Sequence, residues 1–170
     1  MPRARRRAVL AAGSLAFALL AAGCASPDRL KDAAASKPAD NWSGRLSLRV
    51  DEEPAQSFAA LFDLRGTSER GTLTLTSPIG STLAELRWSP GEAILKNGSE
   101  TRRYGSVDAL IQAATGAAIP VEALFGWLDG RDPQVAGWRP DLSQVAAGRL
   151  QAVRESPQPR ADLRIIFERQ

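Results

Sequence analysis

The sequence predicts an α+β domain, in which a mostly antiparallel sheet of about eight strands carries one short helical insertion. Three observations lead there. Between Trp42 and Tyr104, apolar residues recur with period two in short runs separated by turn residues. From Ser106 to Asp129 the period changes to 3.6 over two short segments, and from Arg149 to Glu168 the period of two returns. A sheet of this size curls into a barrel or part-barrel around one apolar interior, with the helical pair placed to cover its open side.

The strands follow in order. Trp42, Leu46, Leu48 and Val50 alternate with Ser43, Arg45, Ser47 and Arg49, the pattern of a half-buried strand. Phe58, Ala60, Phe62 and Leu64 repeat it, with Asp63 and Arg65 facing away. Leu73 and Leu75 alternate with Thr72, Thr74 and Thr76, and Ala84, Leu86 and Trp88 alternate with Glu85 and Arg87. Glu92–Leu95 and Glu100–Tyr104 flank Lys96-Asn97-Gly98, a hairpin signal. Ser106 is placed to cap a first helix with the stripe Val107, Leu110, Ile111 and Ala114, which Gly116 ends. Pro120 opens a second, with the stripe Val121, Leu124, Phe125 and Leu128, Trp127 flanking, and Asp129-Gly130 as its stop. Residues 131–148 read as irregular, and Arg149–Arg154 and Ala161–Glu168 close the domain as a hairpin across Pro157-Gln158-Pro159.

The first 23 residues belong to a different layer of the chain. Arg3, Arg5, Arg6 and Arg7 form a positive start, Ala8 to Ala22 carry no charge, and Ala21-Ala22-Gly23 stand directly before Cys24. That order is a secretory signal peptide, too short in its uncharged run for a membrane span of about 20 residues. The cysteine at the cleavage point resembles a lipobox, in which the thiol is acylated and becomes the first residue of the mature chain. Ala21 stands where a lipobox has Leu, and Leu20 lies one step back. An ordinary secreted protein with a stray cysteine, or twin-arginine export through Arg5-Arg6-Arg7, are the other readings of this segment. Cys24 is the sole cysteine, so no intramolecular disulfide forms, and lipid on it leaves no free thiol in an oxidising compartment. Residues 24–40 are small, polar and proline-punctuated, a tether with at most one short helix around Arg29–Ala35. The folded domain is expected over 41–170.

Removing the signal changes the charge. It holds four of the 22 Lys and Arg and none of the 19 Asp and Glu, so 18 basic residues face 19 acidic ones and +3 becomes −1. The basic isoelectric point is no argument for nucleic acid, and none is expected as a partner. Catalysis is not expected either. There is no histidine, Cys24 is taken by the anchor, and no phosphate loop, nucleophile elbow or metal-ligand spacing occurs. Asp63 and Glu85 sit mid-strand, but their phase places them on polar faces. No catalytic residue, metal or cofactor is assigned beyond the covalent lipid on Cys24.

One loop breaks the usual rule. Ser77-Pro78-Ile79-Gly80-Ser81 joins two well-marked strands, and its tip carries a β-branched aliphatic where polar residues are the norm. Either Ile79 folds back onto the core, or it is an exposed apolar contact for lipid or a partner.

Taken in order, Cys24, Trp42-Ser43-Gly44-Arg45-Leu46, Gly71-Thr72-Leu73-Thr74-Leu75, Ser77-Pro78-Ile79-Gly80-Ser81, Gly116 to Pro120-Val121, and Leu124, Trp127, Leu128 and Gly130 resemble the LolB family of outer-membrane lipoproteins. The resemblance spans about residues 42–130 and implies an unclosed antiparallel barrel with a helical lid over an apolar cavity. It implies a protein held by lipid on the periplasmic face of the outer membrane. There it takes acylated lipoproteins from the periplasmic carrier LolA and inserts them into the inner leaflet. A monomer is expected, although the sequence itself leaves the oligomeric state open. In the family an apolar residue, usually Leu, projects from the Pro-x-Gly loop for membrane insertion. Pro78, Ile79 and Gly80 occupy those positions. Ala25 after the cysteine fits outer-membrane sorting by the same resemblance, and the chain beyond residue 131 leaves room for fewer terminal strands and a more open cavity.

The expected acyl-chain cavity is lined by the strand residues Leu46, Leu48, Phe58, Phe62, Leu73, Leu75, Leu86 and Trp88, and by the lid residues Leu110, Ile111, Leu124, Phe125 and Leu128. Plain core packing asks for the same side chains. Two other functional readings share the anchor and the sheet: an envelope module that carries another lipid or scaffolds assembly, which needs no exposed Ile79, and an envelope hydrolase, which needs a carboxylate.

Overall fold

The computed structural model describes residues 40–170. The expectations for the signal segment, Cys24, the tether and the short helix at Arg29–Ala35 lie outside the described residues.

Six strands come first: β1 (Asp40–Asp51), β2 (Gln56–Gly66), β3 (Gly71–Thr76), β4 (Thr82–Ser89), β5 (Glu92–Asn97) and β6 (Glu100–Tyr104). Helices α1 (Val107–Thr115) and α2 (Val121–Leu128) follow, and then β7 (Trp138–Asp141), β8 (Arg149–Arg154) and β9 (Arg160–Arg169). They form one antiparallel sheet in the order β6-β5-β4-β3-β2-β1-β9-β8-β7, with β6 and β7 as unjoined edges. This is the expected α+β, unclosed barrel.

The period-two reading sets which residues face inward. Trp42, Leu48 and Val50 of β1, Phe62 and Leu64 of β2, Leu86 and Trp88 of β4, and Leu163, Ile165 and Phe167 of β9 are all buried in one core. Registers such as Leu48↔Phe58, Leu64↔Leu73 and Leu73↔Leu86 keep these side chains on one face. At Gly71, a Cβ would meet the ring of Trp88, its direct cross-strand partner. The missing side chain leaves the space that the indole fills, and Trp88 Nε1 donates from there to the carbonyls of Thr67 and Ser68, each at 3.1 Å.

The helices lie against the inner face. Ser106 Oγ accepts from Ala109 N at 3.1 Å, and Gly116 ends α1 with φ +69° while its N–H donates to Gln112 O. Asp108 of α1 accepts from Val121 N at 2.9 Å, which ties the start of α2 to α1. Phe125 enters between two strand tryptophans, with ring centroids 5.3 Å from Trp42 and 6.3 Å from Trp88, both edge-on. At the other end of α2, Asp129 accepts from Arg169 at 2.8 Å, and the same guanidinium reaches Asp40 at 2.7 Å. The Asp40 hydrogen bond is the main reason the Arg169 pKa is raised.

Four details differ from the sequence reading. Residues 131–148 contain a ninth strand, β7, which is four residues long and includes Pro140. Proline is tolerated there because β7 is an edge and its outer side needs no donor. Trp127, read as flanking, is fully buried, while Leu124 is only half-buried. Alpha2 is covered almost all round, so a one-stripe reading underestimates its contacts. Ala114 of the α1 stripe is exposed. Phe58 faces inward but is 38% exposed, because β3 ends at Thr76 opposite Leu61, so beyond that point β2 is flanked by β1 alone.

Candidate functional site: the apolar turn and the inner face

The β3–β4 connection is a tight, hydrogen-bonded turn. Gly80 N donates to Ser77 O at 2.9 Å, Ser77 N to Ser81 O at 2.8 Å, and Ser81 N to Ser77 Oγ at 3.1 Å. Pro78 supplies a fixed φ, and Gly80 takes φ +88° with nothing within 4 Å of a would-be Cβ. The glycine is therefore a demand of backbone conformation, since there is room for a side chain. The turn holds Ile79 away from the protein at 91% exposure. Of the two alternatives for this residue, folding back onto the core is excluded.

Antiparallel pairing places this turn at the same end of the barrel as the β1–β2 hairpin, the β5–β6 hairpin and the β8–β9 turn. Phe58 and Leu61, at 38% and 36% exposure, are the other large apolar side chains exposed near that end. Both lie on β2, one on each face: Leu61 pairs with Thr76 at the end of the strand that leads into the turn, and Phe58 lies beyond it.

The residues expected to line a cavity all belong to, or pack against, the inner core, apart from Phe58 at its rim. Leu48, Phe62, Leu86, Trp88, Leu110, Phe125 and Leu128 are buried within it, and Leu46, Leu73, Leu75, Ile111 and Leu124 are half-buried against it. With the helices in place, Phe125 fills the space between Trp42 and Trp88. The inner face is thus apolar and closed over by its lid.

The opposite face is polar. Asp63, Arg65, Thr72, Thr74, Glu85 and Arg87 line a shallow groove of about 420 Å³ on the outside of β2–β4. Arg65 donates to both Asp63 oxygens, at 2.6 and 3.1 Å, and this hydrogen bonding holds the guanidinium pKa above its ordinary value. Asp63 is committed to that pair at the surface, a poor setting for a general acid or base. Among the described residues no cluster of His, Cys, Asp or Glu is placed to hold a metal.

One inner residue was not singled out from the sequence. Arg154 of β8 is 4% exposed, on the same face as Leu150 and Ala152. The alternation from Arg149 to Arg154 carried that signal, since period two puts Arg154 in phase with the buried positions.

Comparison with known proteins joins these features to a family. A family profile described as "Outer membrane lipoprotein LolB" matches residues 40–165, nearly the whole described domain. The chain is 37% identical over 131 residues to the outer-membrane lipoprotein LolB of Bordetella petrii, covering 75% of this chain and 63% of that one. To the LolB of Cupriavidus pinatubonensis it is 34% identical over 137 residues, covering 77% and 64%. To that of Cupriavidus metallidurans it is 33% identical over 162 residues, covering 92% and 76%. The match thus spans slightly under two-thirds of the first two relatives. An open nine-stranded barrel, an inserted helical pair and a profile match across both make this chain a member of the LolB family of outer membrane lipoproteins.

Proposed function

We propose that this chain is the outer-membrane acceptor of lipoproteins: anchored through lipid on Cys24, it takes acylated cargo from the periplasmic carrier LolA and inserts it into the inner leaflet. The observation that carries this reading is Ile79, an apolar side chain held 91% exposed on a hydrogen-bonded turn at one end of an apolar-faced barrel. A buried or polar turn would give the membrane nothing to grip.

No bond is made or broken in such a task. Acyl chains cost about 0.8 kcal/mol for each CH₂ left in water, so they must pass from one apolar site to the next. The inner faces of β1–β4 and the lid stripes supply such a site once the lid moves. Phe125 then yields the space between Trp42 and Trp88, and one apolar contact replaces another. The downhill direction comes from the bilayer, which holds acyl chains more tightly than either protein. Ile79, positioned by Pro78 and Gly80, brings the loaded barrel to that bilayer.

Transfer is the test. The full chain, produced with Cys24→Ser so that no covalent lipid competes, is mixed with LolA loaded with a labelled lipoprotein. Movement of label from the carrier to this chain is expected. Retention of the label on LolA, with this chain folded by circular dichroism, refutes the acceptor role and leaves an anchored module for another ligand.

A further inference from the structure

Among the described residues, Arg154 is the one charged side chain buried in the apolar interior. Its surroundings do not satisfy it. Nη2 donates to Pro159 O at 2.9 Å, the guanidinium carbon lies 5.8 Å from the Trp138 ring centroid, and Nε has no acceptor. None of the ion pairs among the described residues includes it. A buried guanidinium without a carboxylate, and with a donor unused, is costly to keep. An apolar residue in phase with Leu150 and Ala152 would not carry that cost.

The position of Arg154 suggests what the unused donor awaits. Trp138, its cross-strand partner, holds the connection between α1 and α2: the indole donates to Ala118 O at 2.9 Å and packs 5.7 Å from Trp127. Trp138 stacks on the guanidinium, so a lid movement that freed this tryptophan would uncover Arg154. Arg154 also closes β8, beside the β8–β9 turn, at the same end of the barrel as Ile79. A ligand with apolar chains and one polar junction would lay its chains on the inner face and its junction there.

Building on the acceptor reading, we propose that Arg154 is a specificity-determining residue that binds the junction of the cargo lipid. Its Nε–H donates to an ester carbonyl oxygen of the glyceryl-linked acyl chains. Those carbonyls lose water when the chains enter the barrel, and a charged donor in an apolar setting replaces that water. A phospholipid phosphate offers the same acceptor chemistry and is the alternative source of the oxygen.

The test uses the full chain with Cys24→Ser, titrated by tryptophan fluorescence with three probes. These are an ester-linked diacylglyceryl-cysteine peptide, the same peptide with ether links in place of the esters, and phosphatidylglycerol. The wild type should prefer ester over ether by about tenfold, the ratio expected for one charge-assisted hydrogen bond. In Arg154→Met that ratio should fall to about one, and Arg154→Lys should keep part of it. The ratio is read within each variant, so a general loss of stability does not imitate the effect. Equal ester and ether binding by the wild type, with Arg154→Met unchanged, overturns the assignment and leaves the acceptor reading standing. Loss confined to phosphatidylglycerol in Arg154→Met also overturns it, by giving the donor to a phosphate. Failure of the wild type to bind either peptide removes both readings together.

Discussion

Replacing Ile79 by Glu should separate folding from membrane delivery. At 91% exposure the side chain contributes almost nothing to the core, so the substitution should change stability by no more than about 0.5 kcal/mol. The turn is unaffected, because its bonds run between Ser77, Gly80 and Ser81 and none uses the Ile79 side chain. Nearly the whole apolar surface of Ile79 remains available for burial in lipid. Full burial of such a side chain is worth about 2 kcal/mol, close to thirtyfold in partitioning, and a carboxylate adds a further penalty. Sedimentation with anionic vesicles should therefore weaken by at least about thirtyfold. Cargo should still move from LolA to the variant, yet accumulate on it instead of entering vesicles. Vesicle delivery at the wild-type rate by a folded Ile79→Glu chain would refute the role of the turn, whatever happens to cargo binding.

Other substitutions probe the frame around this site. Phe125→Ala leaves a cavity between Trp42 and Trp88 and should cost about 3–5 kcal/mol, seen as a fall in Tm of about 10 °C or more by calorimetry. Gly71→Ala drives a methyl group into the Trp88 ring, and about 1–3 kcal/mol should be lost in urea unfolding, with a changed near-ultraviolet tryptophan signal. Asp63→Asn combined with Glu85→Gln alters only the outer polar groove, so transfer and delivery rates should stay within about twofold of wild type.

The sheet was legible because one face of it meets a core. Leu48, Phe62, Leu86 and Trp88 are buried where period two put them, and Ser106 and Gly116 cap α1 as their chemistry requires. Legibility failed where the surroundings are not periodic. Beta7 is too short to show alternation and contains a proline, so only its place at an edge makes it a strand. Trp127 is buried because α2 is enclosed on nearly every side, and enclosure depends on elements distant in sequence. The exposure of Phe58 follows from where its neighbour β3 stops. As for the site, the apolar tip at Ile79 was visible as an anomaly in its loop, but only the structure chose between its two orientations. Arg154 was in phase with buried positions, yet a charge in a strand ordinarily points to water.

The sheet order has a consequence for how the domain assembles. The first strand and the last are neighbours in the middle of the sheet: Trp42 pairs with Arg169 and Asp51 with Arg160, so this seam joins residues more than 100 positions apart. Contacts of such high sequence separation demand a large loop-closure entropy before they return any stabilisation, which favours slow folding. Until β9 is in place, β1 is an open edge with an apolar face, and β7 and β8 have nothing to join. A chain shortened at Arg160 would not lose a dispensable rim. It would split the sheet at its centre into a six-stranded meander and an orphaned hairpin.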